Sequence, residues 1–429
     1  MTLGAPAPGL VLGAALLVVA ACGREPPATP TPSTATAAPL APRTYAQEKA
    51  ALDEAIAKGE SLVASRPDDG LLPLEVAGLL LERARLTGDY GDFGRAAAVL
   101  AAKAPSAGAA AAHCLLSARL DYTLHRLAAA GKRLAACPPQ ADALEAASLA
   151  ADIDFHSGRY REAEATYRRL VNGPGLPGHY VRLALHRAKT GAPGEAAALL
   201  EAAERRYHGT SATMRAWLKL QRAIVAMDRG RLDEALAILR LAQDAMPGWW
   251  LVDEHVAEVL ALQGEDGKAL AIYRDVVART GMPEYRDALA DLEEKAGRRE
   301  VAATLRREAR AAYEARLTAF PEAAAGHALD HFLGDAAAAN RALELALANH
   351  RTRPAGEAAI ALARAYLGVG QPARAEALLR QEHARGWDTA ESHWVLAEAL
   401  AKRGNDRAAQ ASREAALARN PTAARQWGP

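Results

Sequence analysis

The sequence has few aromatic residues, only three cysteines and almost no net charge. Aromatic side chains make up 5% of its 429 residues, with four Phe in the whole chain. Its apolar residues are mainly Ala and Leu, which favour helices and are poor residues for strands, so the composition argues against an all-β or a doubly wound α/β protein. Lys and Arg number 52 against 51 Asp and Glu, and no overall field therefore attracts nucleic acid or acidic lipid.

The sequence also lacks the motifs of common catalytic sites. It contains no Gly-rich phosphate loop ending in Lys-Ser/Thr, no GxSxG turn and no CxxC pair. Asp92-Phe93-Gly94 matches a kinase triplet, but the other kinase motifs are missing. We therefore expect no enzymatic activity, no catalytic residue, no cofactor, no small-molecule substrate and no nucleic-acid partner.

An apolar run at residues 9–21 (GLVLGAALLVVAA) gives the first positive signal. It is shorter than the roughly 20 residues that span a bilayer, and it suits the apolar core of an export signal. It ends in Val19-Ala20-Ala21-Cys22, which resembles the lipobox of bacterial lipoprotein signal peptides. The resemblance implies cleavage after residue 21 and lipidation of Cys22, although residues 1–8 depart from the pattern because they contain no Lys or Arg. A buried helix is the alternative for this segment.

The segment 22–43 is dense in Pro, Thr and Ala. Such a composition cannot build a core, and we expect a disordered tether that reaches at most roughly 65 Å. In bacteria with enterobacteria-like sorting, Asp after the lipidated Cys favours the inner membrane, and Gly23 stands there instead. The N-terminus thus predicts a protein of the bacterial cell envelope, lipid-anchored and facing the periplasm, with the outer membrane slightly favoured.

Cys114 and Cys137 remain once Cys22 carries lipid, in a compartment that permits disulfides. If two antiparallel helices turn near residue 123, the two positions miss one another by about four residues, or roughly 6 Å of helix rise. A disulfide needs a Cα separation of about 4.4–6.8 Å, so we expect two separate buried thiols, with a disulfide as the alternative.

From residue 144 onward the chain repeats, with small residues at fixed places. Eight Ala recur at intervals of 33 to 40 residues: Ala163, Ala196, Ala235, Ala269, Ala302, Ala342, Ala375 and Ala409. Seven of them follow, by five residues, a Gly that can end a helix in the left-handed conformation: Gly158, Gly191, Gly230, Gly264, Gly297, Gly370 and Gly404. Each unit therefore reads as helix, tight turn, helix.

This period, together with the recurrent glycine turns, resembles the tetratricopeptide repeat. The clearest unit is 216–247, and units 144–174, 356–388 and 390–421 match comparably. The resemblance implies an all-α, right-handed α-solenoid of about ten helix-turn-helix hairpins. It predicts the following organisation: a signal peptide (1–21), a tether (22–43), an N-terminal helix with degenerate repeats (44–139), the solenoid (140–421) and a C-terminal tail (422–429). The long spacings predict inserts around 205–215 and 310–322, the second lengthening a helix.

Tetratricopeptide proteins typically bind a peptide or a partner helix on a concave surface lined by the first helix of each unit. The inward-facing candidates here are Trp217, Leu220, Ile224, Asp228, Glu254, Glu258, Glu357, Ile360, Arg364, Glu391, Trp394, Glu398 and Lys402. Trp217 and Trp394 are candidate anchors, with packing between hairpins as the alternative. Trp249 and Trp250 stand at a joint between units, where we expect packing.

His327 and His331 are spaced i, i+4 and could bind a metal with Asp330 or Asp335. A metalloprotease would need Glu at position 328, where Ala328 stands, and two surface or inter-helix histidines are the simpler interpretation. The leading hypothesis is a lipid-anchored envelope scaffold that binds partner proteins or peptides. The alternatives are a metal-binding envelope protein and a non-catalytic regulatory subunit of a separately encoded enzyme.

Overall fold

The computed structural model describes residues 43–102 and 105–428. These residues form twenty-two α-helices and a short 3-10 turn, Ala336–Ala338. The helices are α1 (Tyr45–Ser65), α2 (Leu72–Thr87), α3 (Tyr90–Ala102), α4 (Ala110–Thr123), α5 (Leu127–Ala135), α6 (Ala143–His156), α7 (Tyr160–Asn172), α8 (Pro177–Lys189), α9 (Pro193–Arg206), α10 (Ala212–Asp228), α11 (Leu232–Ala245), α12 (Trp250–Leu262), α13 (Asp266–Thr280), α14 (Pro283–Lys295), α15 (Arg299–Ala319), α16 (Pro321–Leu333), α17 (Ala339–Thr352), α18 (Gly356–Gly368), α19 (Pro372–Arg385), α20 (Ala390–Lys402), α21 (Asp406–Arg419) and α22 (Ala423–Trp427).

Successive helices of the described chain pack as ten hairpins, from α2–α3 to α20–α21, with α1 before the first and α22 after the last. We number these hairpins 1 to 10. Each one also packs on the next, because a single hairpin has too little apolar surface to keep its inner face dry. The all-α solenoid of helical hairpins expected from the sequence is confirmed.

The turn glycines adopt the backbone conformation that their position requires. Gly158 has a φ of 74° and Gly230 a φ of 68°, and the other five predicted glycines are also left-handed. Hairpin 2 has no turn glycine and uses His125, with a φ of 60°, in its place. Hairpin 8 turns through the 3-10 segment Ala336–Ala338 instead. The turn between the two helices of a hairpin therefore depends on a particular backbone conformation. Glycine is the residue that most often supplies it.

The eight recurrent alanines are buried, one on the second helix of each hairpin from 3 to 10. All eight side chains are at most 2% exposed, with Ala235 and Ala375 at 0%. A methyl group there allows the backbones to approach closely, and the larger residues on either side of it fill the remaining space.

Cys114 and Cys137 form a disulfide, with a Cα–Cα distance of 5.5 Å. The expectation of two separate thiols is wrong because the turn of hairpin 2 lies later than the sequence suggested. Helix α4 ends at Thr123 and α5 begins at Leu127, so the centre of the turn is near residue 125. Position 114 then lies almost opposite position 137, which comes just after the end of α5.

Two regions differ in length from an ordinary repeat. Helix α15 extends to Ala319, so the predicted lengthening through Tyr313 is confirmed. The predicted C-terminal tail is instead a short helix, α22, whose Trp427 is 5% exposed and packs with Ala390 and Trp394. A tryptophan one turn after a small Ala423 supplies enough apolar surface to dock the end of the chain.

Hairpins that are far apart in the sequence contact one another. The indole Nε1 atoms of Trp249 and Trp250 donate to the carbonyl oxygen of Leu86, at 3.4 and 3.2 Å, so the predicted packing role of this pair is confirmed. In hairpin 3, the hydroxyl of Tyr160 donates to Glu382 Oε2 at 2.9 Å and accepts from the Gly356 N–H at 2.8 Å.

Further contacts of this kind join hairpin 10 and α22 to hairpins 5 and 6. Asn420 donates to the carbonyl oxygen of Met227 at 3.4 Å, and Arg425 donates to that of Leu262 at 2.6 Å. The superhelix therefore winds past one full turn, and its successive turns pack together.

As a consequence, the first helices of the hairpins lie inside and the second helices outside. Helix α10 has ten buried residues distributed around its circumference, whereas α9 has three on one face. None of the described helices combines the length and the apolar character that crossing a bilayer requires. The predicted signal peptide, Cys22 and the tether as far as residue 42 lie outside the described residues.

Candidate functional site

The residues predicted to line a concave groove lie inside the superhelix, and several of them are inaccessible. Trp217 and Leu220 are 1% and 0% exposed, and Glu254, Ile360 and Trp394 are also buried. Trp217 and Trp394 were candidate anchors, with packing between hairpins as the alternative, and their burial agrees with the alternative because neighbouring turns cover the inner helices. Of the remaining candidates, Lys402 is exposed and the following are half-buried: Ile224, Asp228, Glu258, Glu357, Arg364, Glu391 and Glu398.

Four of the predicted residues nevertheless line one cavity: Asp228, Glu357, Ile360 and Glu391. We call it the junction cavity, because it lies where hairpins 4 and 5 meet hairpins 9 and 10 and α22. Its volume is about 600 Å³, including the space at its mouth. Its lining also includes Lys189, Trp387, Asp388, Arg419 and Trp427.

One wall of the junction cavity is a backbone contact between the two turns of the superhelix. The Asp388 N–H donates to the carbonyl oxygen of Lys189 at 2.9 Å, within a parallel bridge between Thr190 and Asp388. Gly191 has a φ of 82°, and a Cβ there would lie 2.6 Å from the Asp388 carboxylate. Glycine is thus required both by the turn and by the close approach of the two loops.

Lys189 is the central cation of the cavity. Its ammonium group donates to Asp228 Oδ2 at 3.2 Å. Burial opposes its charge, but Asp228 and then Glu357 and Glu391 act more strongly, and the pKa of Lys189 is raised. The lysine therefore stays protonated among three carboxylates.

The other charged residues of the cavity lie at the ends of helices. Glu357 and Glu391 lie in the first turns of α18 and α20, where the helix dipole favours negative charge. Asp228 is the last residue of α10, where the same dipole disfavours it, so it depends on Lys189 for compensation. Behind the cavity wall, Arg353 lies 3.5 Å from Glu357 and Arg364 lies 3.0 Å from Glu391.

Asp388 is the most strongly held anion of the lining. A hydrogen bond with His393 at 2.7 Å and another from Arg419 at 2.8 Å both hold its pKa below the ordinary range. Asp388 therefore remains charged, and its carboxylate oxygens are already hydrogen-bonded to Arg419 and His393.

Two indole groups of the cavity have no hydrogen-bond partner among the described residues. Trp387 and Trp427 are 1% and 5% exposed, and neither Nε1–H finds an acceptor. A Cβ at Gly356 would collide with the ring of Trp387, so the indole packs directly on this backbone. Each indole therefore leaves a buried donor without an acceptor, which is costly.

Two further carboxylates, Asp330 and Glu258, lie outside the cavity lining and have no hydrogen bond or ion pair in the described structure. Asp330 retains contact with water, but its deep position raises its pKa to about 6, while nearby Arg364 acts in the opposite direction. Burial also raises the pKa of Glu258. His255 acts in the opposite direction, whereas Glu254 and Asp228 add to the increase. Both shifts lower the ionised fraction of these two carboxyl groups, while the lining residues Glu357 and Glu391 keep their charge beside Arg353 and Arg364.

His327 and His331 do not share a ligand. His331 Nδ1 lies 3.0 Å from both carboxylate oxygens of Asp287, whereas His327 Nδ1 lies 4.0 Å from Glu284. Residues 43–102 and 105–428 contain no group of three or more His, Cys, Asp or Glu side chains arranged to hold a metal ion. Each histidine instead lies beside a different carboxylate of α14, and the hydrogen bond is the one between His331 and Asp287.

A second group of histidines lies between the two turns. His125, His156 and His327 surround Arg353, whose Nη1 is 3.4 Å from His125 Nε2. Burial, together with the charge of Arg353, lowers the pKa of all three; for His327, Glu284 acts in the opposite direction. The histidines are therefore neutral at pH 7.

The sequence does not predict Lys189, Trp387, Asp388 and Trp427 as parts of this site. They come from loops, helix ends and the last helix, which carry no repeat signal. The only hint in the sequence is that Trp387 and Trp427 are large aromatic residues in a chain with few of them.

The described residues form a tetratricopeptide-like helical-repeat solenoid with a charged cavity between its turns. No protein-family model matches the sequence, and no curated protein matches it. Similar solved structures include MamA, at 16% identity over 39% of this chain and 96% of its own, with a TM-score of 0.33. A tetratricopeptide repeat protein from Parabacteroides merdae is 15% identical over 57% of this chain and 93% of its own, with a TM-score of 0.34. Human IFIT1 with PPP-AAAA is 14% identical over 85% of this chain and 94% of its own, with a TM-score of 0.39.

Proposed function

We propose that this protein is a scaffold of the bacterial cell envelope, lipid-anchored and facing the periplasm, that binds partner proteins or peptides and has no catalytic activity of its own. The observation that carries the proposal is the junction cavity, in which four of the predicted inner-face residues meet. A stack of hairpins has no chemistry of its own, but it holds such a cavity rigidly between two packed turns.

Two features support the location. Val19-Ala20-Ala21-Cys22 followed by a Pro-rich segment is typical of a lipoprotein with a tether. The disulfide between Cys114 and Cys137 suits an oxidising compartment, because cytosolic thiols are kept reduced.

The interior offers no excess of positive charge to a nucleic acid, which favours a protein partner. Asp228, Glu357 and Glu391 line the cavity, and Glu258 and Asp330 lie beside it. Carboxylates repel phosphate groups, whose binding needs Lys and Arg. A regulatory subunit is one form of this scaffold, in which the partner is an enzyme.

Crosslinking in the native envelope tests the proposal. We expect a photoreactive residue placed at Glu391 to give discrete crosslinked products that mass spectrometry identifies as envelope proteins. The same residue at Asp244, which is exposed on an outer helix, is the matched control. Identical products from both positions, or none from either, would refute partner binding at the cavity.

The lipid anchor is tested separately by labelling cells with a radioactive fatty acid. The wild-type protein should carry the label and sediment with membranes. Cys22→Ser should lose both properties, because the thiol is the attachment site. A labelled Cys22→Ser protein would contradict the anchor.

A further inference from the structure

We propose that hairpin 2 is a redox-controlled element, which stays packed against hairpin 8 while Cys114 and Cys137 are joined and separates from it when their bond is reduced. Hairpin 8 belongs to the next turn of the superhelix, so this step uncovers part of the interior. Four features of hairpin 2 carry the inference: loose packing on its neighbours, a disulfide within reach of a reductant, a turn in an unfavourable conformation and an incompletely hydrogen-bonded contact with hairpin 8.

Hairpin 2 packs more loosely on its neighbours than the other described hairpins do. Its second helix, α5, has nine residues, of which Leu127 and Ala130 are buried. Its helices also make a less extensive contact with α3 and with α6 than successive hairpins make elsewhere in the superhelix. Segments with few buried apolar contacts are the ones that open locally in a native protein. Hairpin 2 therefore depends on the disulfide more than on its own apolar core.

The disulfide lies where a reductant can reach it. It joins a residue near the start of α4 to one just after α5, and both Cys114 and Cys137 are half-buried. A dithiol reductant attacks one sulfur as a thiolate and forms a mixed disulfide, which releases the other cysteine; the second thiol of the reductant then releases the first cysteine. The protein gains two electrons and two protons, and the reductant leaves as a disulfide.

The turn of hairpin 2 has an unfavourable backbone conformation. His125 has a φ of 60°, in the left-handed region that residues other than glycine seldom adopt. Such a conformation persists only where the surrounding contacts maintain it. Loosening of hairpin 2 therefore allows this turn to relax, and the relaxation favours the separated state.

The contact between hairpin 2 and hairpin 8 contains polar groups without hydrogen bonds. Arg353, which follows α17, donates to His125 Nε2 at 3.4 Å, and the His125 ring stacks on that of His327 with the centroids 6.4 Å apart. Arg353 Nε and the buried hydroxyl of the nearby Tyr122 have no hydrogen-bond partner in the described structure. Burial of such groups away from water is costly, and separation of the hairpins hydrates them.

Two further contacts join these hairpins, and both are weak. Arg126 lies 3.5 Å from Glu322, and each side chain is more than a third exposed, so this ion pair contributes little to stability. Leu124 lies in an apolar cluster with Ala323, which offers a single methyl group. The packed position of hairpin 2 is thus favoured only slightly once the disulfide no longer restricts the hairpin.

The hairpins on either side of hairpin 2 have firmer contacts with the facing turn. Trp249 and Trp250 both donate to the carbonyl oxygen of Leu86 in hairpin 1. The buried hydroxyl of Tyr160 in hairpin 3 donates to Glu382 at 2.9 Å. These contacts do not involve hairpin 2, so its opening is local and leaves the superhelix wound.

Hydrogen exchange followed by mass spectrometry on the full chain tests the inference. In dithiothreitol at pH 7 we expect the amides of α4 and α5 to exchange at least about tenfold faster than in the oxidised protein. The amides of α16, on which hairpin 2 packs, should exchange several-fold faster. Those of α12 should change far less, because that helix packs on hairpins 1 and 5.

A variant and a reversal control the experiment. Cys114→Ser/Cys137→Ser should exchange like the reduced wild type, with or without the reductant. Removal of dithiothreitol and reoxidation should restore slow exchange in the wild type, which keeps the test valid if the double variant does not fold.

The outcomes separate a reversible opening from other effects of reduction. Faster exchange in hairpin 2 with unchanged exchange in α16 would overturn the separation of the two hairpins, since the disulfide would then stabilise hairpin 2 alone. Equal acceleration in α12 would overturn a local opening in favour of general destabilisation. No acceleration in hairpin 2, or slow exchange that did not return on reoxidation, would overturn the redox control.

Discussion

Ala235 shows how one methyl group controls the crossing of two helices. It is 0% exposed between α10 and α11, and the corresponding alanines of the other hairpins are buried in the same way. The sequence could predict these positions because the same steric requirement recurs in every unit. It could not predict Lys189 and Asp388 as neighbours, since their contact does not recur in the repeat and exists only because two turns of the superhelix pack together.

Replacing Ala235 with Leu should overpack this crossing. We expect a loss of about 1–3 kcal/mol in the free energy of unfolding, because the added side chain forces the helices apart. Ala237→Leu, two residues further along and exposed, is the control and should change stability little. Urea unfolding of both variants measures the difference, and equal midpoints would contradict the close crossing.

Gly264 and Gly267 separate the effect of backbone conformation from the effect of space. A Cβ at either position meets nothing within 4 Å, but Gly264 has a φ of 84° whereas Gly267 lies within helix α13. Gly264→Ala should destabilise the protein by about 1–2 kcal/mol, since an L-residue is strained there. Gly267→Ala should stabilise it by up to about 1 kcal/mol. Calorimetry that gave the same sign for both would argue against the left-handed turn.

At the level of the helical element, hairpin 2 depends on a covalent link in place of the regular turn. It has no turn glycine, its second helix α5 has only nine residues, and a disulfide joins α4 to the residues after α5. The degenerate repeat signal of this region predicted a hairpin, but the register of the turn decided the cysteine pairing. That register follows from His125 in the left-handed conformation, which no propensity indicates.

Reduction of this disulfide should destabilise the protein. The bond closes a segment with a sequence separation of 23 residues, and a loop of that size corresponds to about 3 kcal/mol in the unfolded chain. The melting temperature should therefore fall in dithiothreitol. A Cys114→Ser/Cys137→Ser double variant should start at the lower temperature and not respond to the reductant; a response in that variant would point to another cause.

In the whole molecule, closure of the superhelix converts the expected groove into an interior. The sequence contained the period, the turns and the inner face, because each is local to a unit. The rotation of each hairpin relative to the next was not visible in it, and only the accumulated rotation brings Leu86 to Trp250 and Tyr160 to Glu382. Hence Trp217 was correctly assigned to the inner helix but is buried there.

The contact between the turns should also make stability depend on pH. His125, His156 and His327 lie between them, and burial and Arg353 lower the pKa of each. Below about pH 6.5 the unfolded chain binds protons that the folded chain rejects, so the free energy of unfolding should fall as the pH decreases from 7 to 5. His255 acts oppositely, because Glu254 outweighs burial and raises its pKa to about 9, so its contribution is fully present below pH 6.5 and is lost as the pH rises through 9.

Substitution separates the histidines between the turns from the rest of the chain. A His156→Gln/His327→Gln variant should lose stability less steeply than the wild type between pH 7 and pH 5, because two of the groups that reject protons are gone. His208→Gln is the matched control, since that side chain is exposed, and its slope should equal the wild-type slope. Urea unfolding at four pH values measures the slopes. If the double variant retained the wild-type slope, protonation between the turns would not oppose their packing, and the acid sensitivity would come from other buried histidines, such as His383, or from carboxylates.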